Sequence, residues 1–439
     1  MQVSAEQQLK KEIGFTVALA LVVGTVIGSG VFVAPGAVLK EAGSSSMALL
    51  AWLLAGLLTM AGGLTIAEVS TQIFKTGGLY VYLEEVYGKT VGYLSGWMQT
   101  VIYSPAVIGA LGLYMGSLVA GLFKWSEQWN IWIGIGTVVF LAVVNSLGTR
   151  FGGILQTVLT VAKLIPIALI VVFGIWQGEA PVLGGESGFS GGGNLGGAIL
   201  ACLFAYDGWI IVGTVAGEMK NPAKLLPKVI FAGLALATAV YLLVNVALFD
   251  VLSPEKVATL GANAGGSAAE ILFGEIGGKL ITVGIIVSIF ATLNGMILGS
   301  SRIPFAMAER GQLPFSKFLS RVHPISRVPV VAIACQVMIA IGLMLVSNPD
   351  KLAQISVFAI FIFYILAFFA VFILRRRNRG IKRPYNVPLY PWIPVLAILG
   401  SSFVVVSTLL TQPRDSLMAI GIMVIGLPIL WWLERKNKH

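Results

Sequence analysis

The sequence predicts an all-α polytopic membrane protein with about twelve transmembrane helices. Hydrophobic residues make up 57% of the 439-residue chain and charged residues only 11%, whereas a soluble domain is usually about 25% charged. Apolar stretches of about 20 residues, the length that crosses a bilayer as a helix, recur along the whole chain. Basic residues concentrate in alternate connecting segments, which is typical of a chain that crosses the membrane many times.

The apolar stretches define the predicted domain organisation. We expect a single transmembrane domain over residues 1–439, in which spans 1–5 (13–176) and spans 6–10 (195–374) form two halves. Spans 11 and 12 (391–433) follow them. The twelve stretches are centred near Val26, Leu58, Ala106, Val139, Ile167, Tyr206, Leu236, Val287, Met338, Phe363, Val404 and Met423.

The distribution of basic residues predicts the orientation of the chain. With the N-terminus in the cytoplasm, six of the 29 Lys and Arg lie in outer segments, Lys163 lies within a span, and the other 22 are cytoplasmic. This positive-inside bias predicts a multi-pass protein of the inner (cytoplasmic) membrane of the cell with both termini in the cytoplasm. The net charge of +10 therefore reflects topology, and we expect no nucleic acid partner.

The first span contains a helix-breaking segment, Gly24-Thr25-Val26-Ile27-Gly28-Ser29-Gly30-Val31-Phe32. Each glycine costs about 1 kcal/mol in a helix interior relative to alanine, and lipid cannot satisfy the backbone groups that a break exposes. A half-helix that starts near Ser29 directs N–H groups at the gap, which suits a carboxylate. The half-helix that ends near Val26 presents carbonyls, which suit an ammonium group. Close packing of small residues between helices is the alternative that this segment alone leaves open.

Lys163 is a lone cation in the middle of the fifth span. A lysine at that depth costs about 2.5–3.5 kcal/mol on insertion scales, so it needs a partner or loses its proton. The alternative is a lysine that snorkels to the interface, but about ten residues separate it from either end of the span. We therefore expect a functional role for Lys163.

The sixth span is interrupted at Phe204-Ala205-Tyr206-Asp207-Gly208-Trp209. Interruptions at corresponding positions of two five-span halves indicate an inverted-repeat transporter whose site lies at the bilayer midplane. The Asp207 carboxylate could titrate, but we expect it to cap or hydrogen-bond the broken helix, while its carbonyl binds substrate. Phe204 either packs in the core or covers the site, and we favour the second role.

The remaining polar residues argue against an enzyme. Cys202 and Cys335 lie in apolar spans, and the only histidines are His323 and His439, so no cysteine or histidine spacing predicts a metal or cofactor. A membrane-embedded transferase or hydrolase would need clustered acidic or histidine groups at one interface. A channel would need a continuous polar path, which two interrupted helices around one site do not suggest.

Four motifs together resemble the amino acid–polyamine–organocation superfamily, specifically its L-type amino acid transporter branch. The likeness covers essentially the whole chain and is closest to the bacterial serine/threonine and alanine-serine-cysteine exchangers. The motifs are Gly28-Ser29-Gly30-Val31-Phe32; Thr76-Gly77-Gly78-Leu79-Tyr80; Phe204-Ala205-Tyr206-Asp207-Gly208-Trp209 with Gly217-Glu218-Met219-Lys220-Asn221-Pro222; and Arg310-Gly311-Gln312-Leu313-Pro314. Between the second and third spans, we expect Thr76–Glu85 to be helical and partly interfacial, with its aromatic residues at the lipid headgroups.

The resemblance implies roles for the two interrupted segments. Ser29 and Gly30 would bind the substrate carboxylate through their backbone N–H groups. The carbonyls of Val26, Phe204 and Asp207 would bind the substrate amino group, and the Phe204 ring would be the gate.

The resemblance also implies a role for the buried lysine. Lys163 would stand where sodium-coupled relatives bind a sodium ion, and would join the fifth span to the first near Gly24. Gly28 and Ala205 complete the set of candidate substrate-binding residues. No cofactor is implied.

From these residues and the resemblance we expect obligatory, sodium-independent exchange of small neutral L-amino acids by alternating access, with serine, threonine, alanine and cysteine as substrates. The alternative is proton-coupled symport, in which Lys163 or Asp207 titrates during the cycle. Residues 123–130 lack the cysteine that links mammalian relatives to a heavy subunit, so we expect the lipid bilayer but no disulfide-linked heavy subunit as partner.

Overall fold

The structure is a computed structural model that describes residues 12–28, 30–73, 78–178, 193–261, 264–380 and 383–436. Within these ranges the chain is almost entirely helical, as predicted, and contains no β-strand. Ile13 and Met219 form an isolated parallel bridge.

Eighteen α-helices follow one another along the described chain, with a π-helical segment before α6 and a 3-10 helix after α9. Their bounds are α1 Phe15–Val26, α2 Gly30–Ala42, α3 Ser45–Ser70, α4 Leu79–Tyr87, α5 Lys89–Met98, the π segment Gln99–Tyr103, α6 Ser104–Phe123, α7 Trp129–Ser146, α8 Thr149–Gln177, α9 Leu195–Ala205, the 3-10 helix Trp209–Glu218, α10 Pro222–Val251, α11 Pro254–Leu260, α12 Ala264–Ser300, α13 Arg302–Glu309, α14 Ser316–Leu319, α15 Val330–Val346, α16 Pro349–Arg377, α17 Trp392–Thr411 and α18 Pro413–Lys436.

In the described ranges, nine helical stretches are long and apolar enough to cross a membrane. Three shorter apolar helices, Phe15–Val26, Trp209–Glu218 and Val330–Val346, coincide with predicted spans 1, 6 and 9. Two of these are short because the span is interrupted. The exact count of twelve spans and the five-plus-five repeat stay predictions.

Helix α1 lies at the centre of the packing that positions the site. It contacts α8, α10, α12 and the 3-10 helix, whereas α2 contacts α9 and α11. Helix α8 shows how the bundle meets the bilayer: Val158 and Val161 on one face are 58% and 59% exposed, while Gln156 and Lys163 on the other face are fully buried. The polar side chains in the middle of α8 therefore face the protein interior, and Val158 and Val161 face lipid.

One end of the bundle, which we call the basic end, is defined by Ile13, Glu218 and Arg302. Backbone N–H of Ile13 donates to the Glu218 carbonyl at 3.0 Å. The fully buried Glu218 carboxylate accepts from Nε of Arg302 at 2.7 Å. Each charge is compensated by the other, as burial in a low-dielectric interior requires.

The segment before α5 lies inside the basic end. Tyr80 and Tyr82 are fully buried, so the expectation that the aromatic residues of this segment lie at the lipid headgroups is wrong. Gly78 adopts a positive φ of 58° and is packed against Thr214, which directs α4 under the bundle. Burial raises the pKa of Tyr80 to about 12, so it remains a neutral hydroxyl that donates to Oε1 of Gln312.

Candidate functional site

The first predicted interruption lies where the sequence places it. Helix α1 ends at Val26 and α2 begins at Gly30. Between them, the backbone N–H of Gly28 donates to the Val26 carbonyl at 2.8 Å, and Ser29 lies outside the described residues. Carbonyls of the last turn of α1 therefore lack their usual helical partners.

Lys163 supplies two of the missing partners. Its Nζ donates to the Gly24 carbonyl at 2.8 Å and also to the Ile27 carbonyl. The side chain is fully buried. The predicted contact between the fifth span and the first near Gly24 is thus present in the structure, and it reaches one turn further than predicted.

Two hydroxyls of α12 complete this set of donors, and sequence reasoning missed both. Thr292 Oγ1 donates to the Gly24 carbonyl at 2.9 Å, and Ser288 Oγ donates to the Gly28 carbonyl at 3.2 Å. A hydroxyl in an apolar span usually bonds to its own helix, so its type alone does not reveal such a partner.

The second interruption follows α9. After Ala205 the chain turns through Tyr206 to Gly208, whose φ is 99°, and continues as the 3-10 helix. Gly30 faces this turn so closely that a Cβ on it would lie 2.7 Å from the Cβ of Ala205. A glycine is therefore required where the two interrupted segments meet.

Tyr241 on α10 joins the two interruptions. Its hydroxyl lies 2.7 Å from the Val26 carbonyl and 2.7 Å from the Ala205 carbonyl. Sequence reasoning missed this residue, because a tyrosine in an apolar span carries no signal that distinguishes a bridging hydroxyl from core packing.

The Asp207 carboxylate is held by tyrosines of two other segments. Tyr103, in the π-helical segment, donates to Oδ2 at 3.0 Å, and Tyr364 on α16 donates to Oδ1 at 3.2 Å. As expected, the carboxylate also hydrogen-bonds the interrupted segment itself, because it accepts the backbone N–H of Gly208. The two tyrosines in addition tie the second interruption to its neighbours.

A cavity of about 60 Å³ lies between the two interruptions. At about 10–15 Å³ for each water, it holds roughly four waters or a solute of similar size. Of the predicted site residues, Val26, Gly28, Gly30, Ala205 and Asp207 line it.

The other predicted site residues are not placed on this cavity. Lys163 bonds the Gly24 carbonyl, but neither residue is among the described lining residues of the cavity. Ser29 and the Phe204 side chain lie outside the described part of the chain.

A second, larger cleft of about 850 Å³ starts at Gly30 and extends past Ala34 to Lys40, Glu41 and Gln412. It therefore leads from the cavity to the end of the bundle opposite the basic end. The two ends of the bundle are unlike: one carries an open cleft, and the other is filled by buried ion pairs and tyrosines.

Comparison with known proteins agrees with this arrangement. Residues 13–433 match the family described as Amino acid permease. The chain is 57% identical to the serine/threonine exchanger SteT of Bacillus subtilis (strain 168), over 98% of each protein. It is 30% identical to the Asc-type amino acid transporter 1 of Mus musculus, over 96% of this chain and 81% of that protein.

A human protein belongs to the same group of relatives. The large neutral amino acids transporter small subunit 2 of Homo sapiens is 32% identical over 96% of this chain and 80% of its own length. A family match over nearly all of the sequence, interrupted helices that meet at a central cavity, and many apolar helices agree with one another. The chain therefore belongs to the amino acid permease family of multi-pass membrane transporters.

Proposed function

We propose that this protein exchanges small neutral L-amino acids across the inner membrane of the cell by alternating access, without sodium. Serine, threonine, alanine and cysteine are the proposed substrates. The relative with 57% identity is named as a serine/threonine exchanger, which supports this choice.

The observation that carries the proposal is the cavity between the interruptions. The first turn of α2, which starts at Gly30, directs its unpaired backbone N–H groups toward the gap and suits a carboxylate. The Val26 and Asp207 carbonyls would bind the amino group from the opposite side, since Val26 and Asp207 both line the cavity. A carbonyl oxygen has two lone pairs, so Val26 can accept from Tyr241 and from an ammonium group at once.

The walls of the cavity favour a small, uncharged side chain. Val107, Leu111 and Met296 line the part of the cavity away from the backbone groups. These apolar side chains offer no partner to a charge, and a volume of about 60 Å³ leaves little room for a large side chain. Thr292, also in the lining, supplies a hydroxyl next to them.

Lys163 supports sodium independence. Its ammonium already bonds the carbonyls of Gly24 and Ile27, which is the kind of oxygen site that a sodium ion would otherwise occupy between these helices. A covalently attached cation is present at every step of the cycle, so transport would not follow the sodium gradient.

The unlike ends of the bundle support alternating access between two inverted halves, residues 13–176 and 195–374. We place the basic end, and both termini, in the cytoplasm, because the positive-inside rule assigns Lys- and Arg-rich segments to that side. In this orientation the cleft from Gly30 to Gln412 faces outward and the cytoplasmic side is closed.

The test is counterflow in proteoliposomes. Uptake of radiolabelled L-serine should require unlabelled serine inside the vesicles and should be equal in sodium and choline buffers. Liposomes without protein give the background. Uptake into empty vesicles that follows an imposed proton gradient would instead support the proton-coupled alternative, in which Lys163 or Asp207 titrates during the cycle. Sodium-dependent uptake would refute the proposal.

A further inference from the structure

Three polar residues of α8 contact α1: Gln156, Thr160 and Lys163. Of these, only Lys163 belongs to the site described above. Gln156 and Thr160 lie seven and three residues before Lys163, so all three share one helix face. Both residues donate to the carbonyl of Ala20, Gln156 from Nε2 at 3.3 Å and Thr160 from Oγ1 at 3.1 Å. Ala20 lies one turn before Gly24, so α8 contacts successive turns of α1.

Gln156 belongs to a chain of buried amides that reaches two further helices. Nδ2 of Asn294, on α12, donates to Oε1 of Gln156 at 2.7 Å. Nδ2 of Asn145, on α7, donates to Oδ1 of Asn294 at 2.9 Å. All three side chains are buried. One side-chain network therefore connects α1 to α7, α8 and α12.

Three glycines make the space that these amides occupy. A Cβ on Gly24 would overlap Nε2 of Gln156, and a Cβ on Gly152 would overlap Oδ1 of Asn145. A Cβ on Gly295 would lie 3.2 Å from Nε2 of Gln156. A glycine on α1, α8 or α12 thus admits an amide of this chain at three places.

A packing role alone does not account for this chain. Burial of an amide in an apolar bundle is unfavourable unless its donors and acceptors find partners, whereas a methionine or leucine would fill the same volume without that requirement. The amides fix the position of one helix relative to the next, because each hydrogen bond constrains a distance and an angle.

We infer that Gln156 and Asn294 are positioning residues, which hold α1 in register against α7, α8 and α12 so that the Gly24 and Ile27 carbonyls meet the Lys163 ammonium. Loss of either amide loosens α1 and slows transport, although neither residue is among the lining residues of the cavity. The transport part of this inference rests on the proposed function, and the part that concerns α1 does not.

Hydrogen exchange tests the position of α1 without any substrate. The variants Gln156→Met and Asn294→Leu keep the side-chain volume and remove the hydrogen bonds. The matched control is Thr157→Val, because Thr157 is half-buried and its hydroxyl bonds only within α8, to the Gly153 carbonyl at 2.9 Å. The full-length protein in nanodiscs, with no amino acid added, is compared by mass spectrometry.

The amides of Phe15–Val26 should exchange about tenfold faster in each variant than in the parent, as the loss of one to two buried hydrogen bonds predicts. The control should match the parent. The double variant should be no faster than the faster single variant, because the two amides act as one unit. Parent-like exchange in α1, or effects that multiply in the double variant, would overturn the inference.

Serine counterflow then separates positioning from general destabilisation. Per folded molecule, Gln156→Met should lower the turnover at least about fivefold and leave KM within about twofold, since the bonds it removes stabilise one arrangement of α1 rather than the bound solute. A lower melting temperature with parent-like turnover would show a structural role only and overturn the inference. If the parent itself exchanges no amino acid, the proposed function fails, while the hydrogen-exchange comparison still decides the position of α1.

Discussion

Replacement of Lys163 tests the relation between the buried cation and transport. Lys163→Met keeps an unbranched side chain of similar length but removes the ammonium, so the bonds to the Gly24 and Ile27 carbonyls are lost. A charge-assisted hydrogen bond contributes about 1.5–3 kcal/mol, so two contribute about 3–6 kcal/mol.

The net effect lies at the lower end of that range. The Gly24 carbonyl keeps its bond from Thr292 at 2.9 Å, and the variant no longer buries a charge. A net loss of about 3 kcal/mol corresponds to roughly 100-fold in the population of the arrangement seen here. We therefore expect the serine counterflow rate to fall by about that factor, without a change in the order of preferred amino acids.

The assay measures serine counterflow for parent and variant in sodium and in choline buffers, across a range of pH. Val161→Ala is the control, since Val161 lies two residues away on the lipid-facing side of α8 and is 59% exposed. A variant with the parent's rate would refute the reasoning, and so would stimulation of the parent by sodium. A steep pH dependence that is present in the parent and lost in Lys163→Met would favour the proton-coupled alternative.

Three other residues of the site lead to separate predictions. Gly30→Val should abolish serine binding, because its Cβ would lie 2.7 Å from that of Ala205 and the valine side chain would obstruct the substrate carboxylate. The control is Gly136→Val, whose Cβ has open space. Equal thermal stabilisation of the two variants by serine would contradict this prediction. Tyr241→Phe should weaken serine affinity by up to about tenfold, because its single hydroxyl proton bonds one of the two carbonyls at a time and that neutral hydrogen bond, worth about 0.5–1.5 kcal/mol, is lost. An unchanged dissociation constant would show that the hydroxyl does not organise the site. Met296→Ala should let leucine compete with serine for uptake, because it removes a wall of the cavity, and competition equal to the parent's would count against that wall as the limit on size.

The interruptions and Lys163 could be predicted from the sequence because each violates a strong rule of the bilayer. Clustered glycines, or Asp207 followed by Gly208, cannot continue a helix in lipid without compensation, and a lone lysine requires a partner. Such violations are visible one segment at a time. The helices on either side of both interruptions accordingly end and begin close to the predicted residues.

The partners of those residues could not be predicted, because they depend on which helices meet in space. Tyr241, Tyr103 and Asn294 are ordinary residues of apolar spans when they are read one at a time. The failed expectation for Tyr80 has a similar cause: an aromatic residue beside polar ones suits the lipid headgroups and a protein interior equally well. Only the turn at Gly78, with its φ of 58°, decides between the two.

The 3-10 helix has a mechanical consequence for the distance between the cavity and the basic end. Its ten residues, Trp209–Glu218, rise about 2.0 Å each and cover about 20 Å, whereas an α-helix of ten residues covers about 15 Å. A change from i→i+3 to i→i+4 bonding would therefore draw Glu218 about 5 Å toward Gly208. Because Glu218 is paired with Arg302, such a shortening would also displace the start of α13. The length of the 3-10 helix therefore couples the cavity, which Gly208 lines, to the basic end of the bundle.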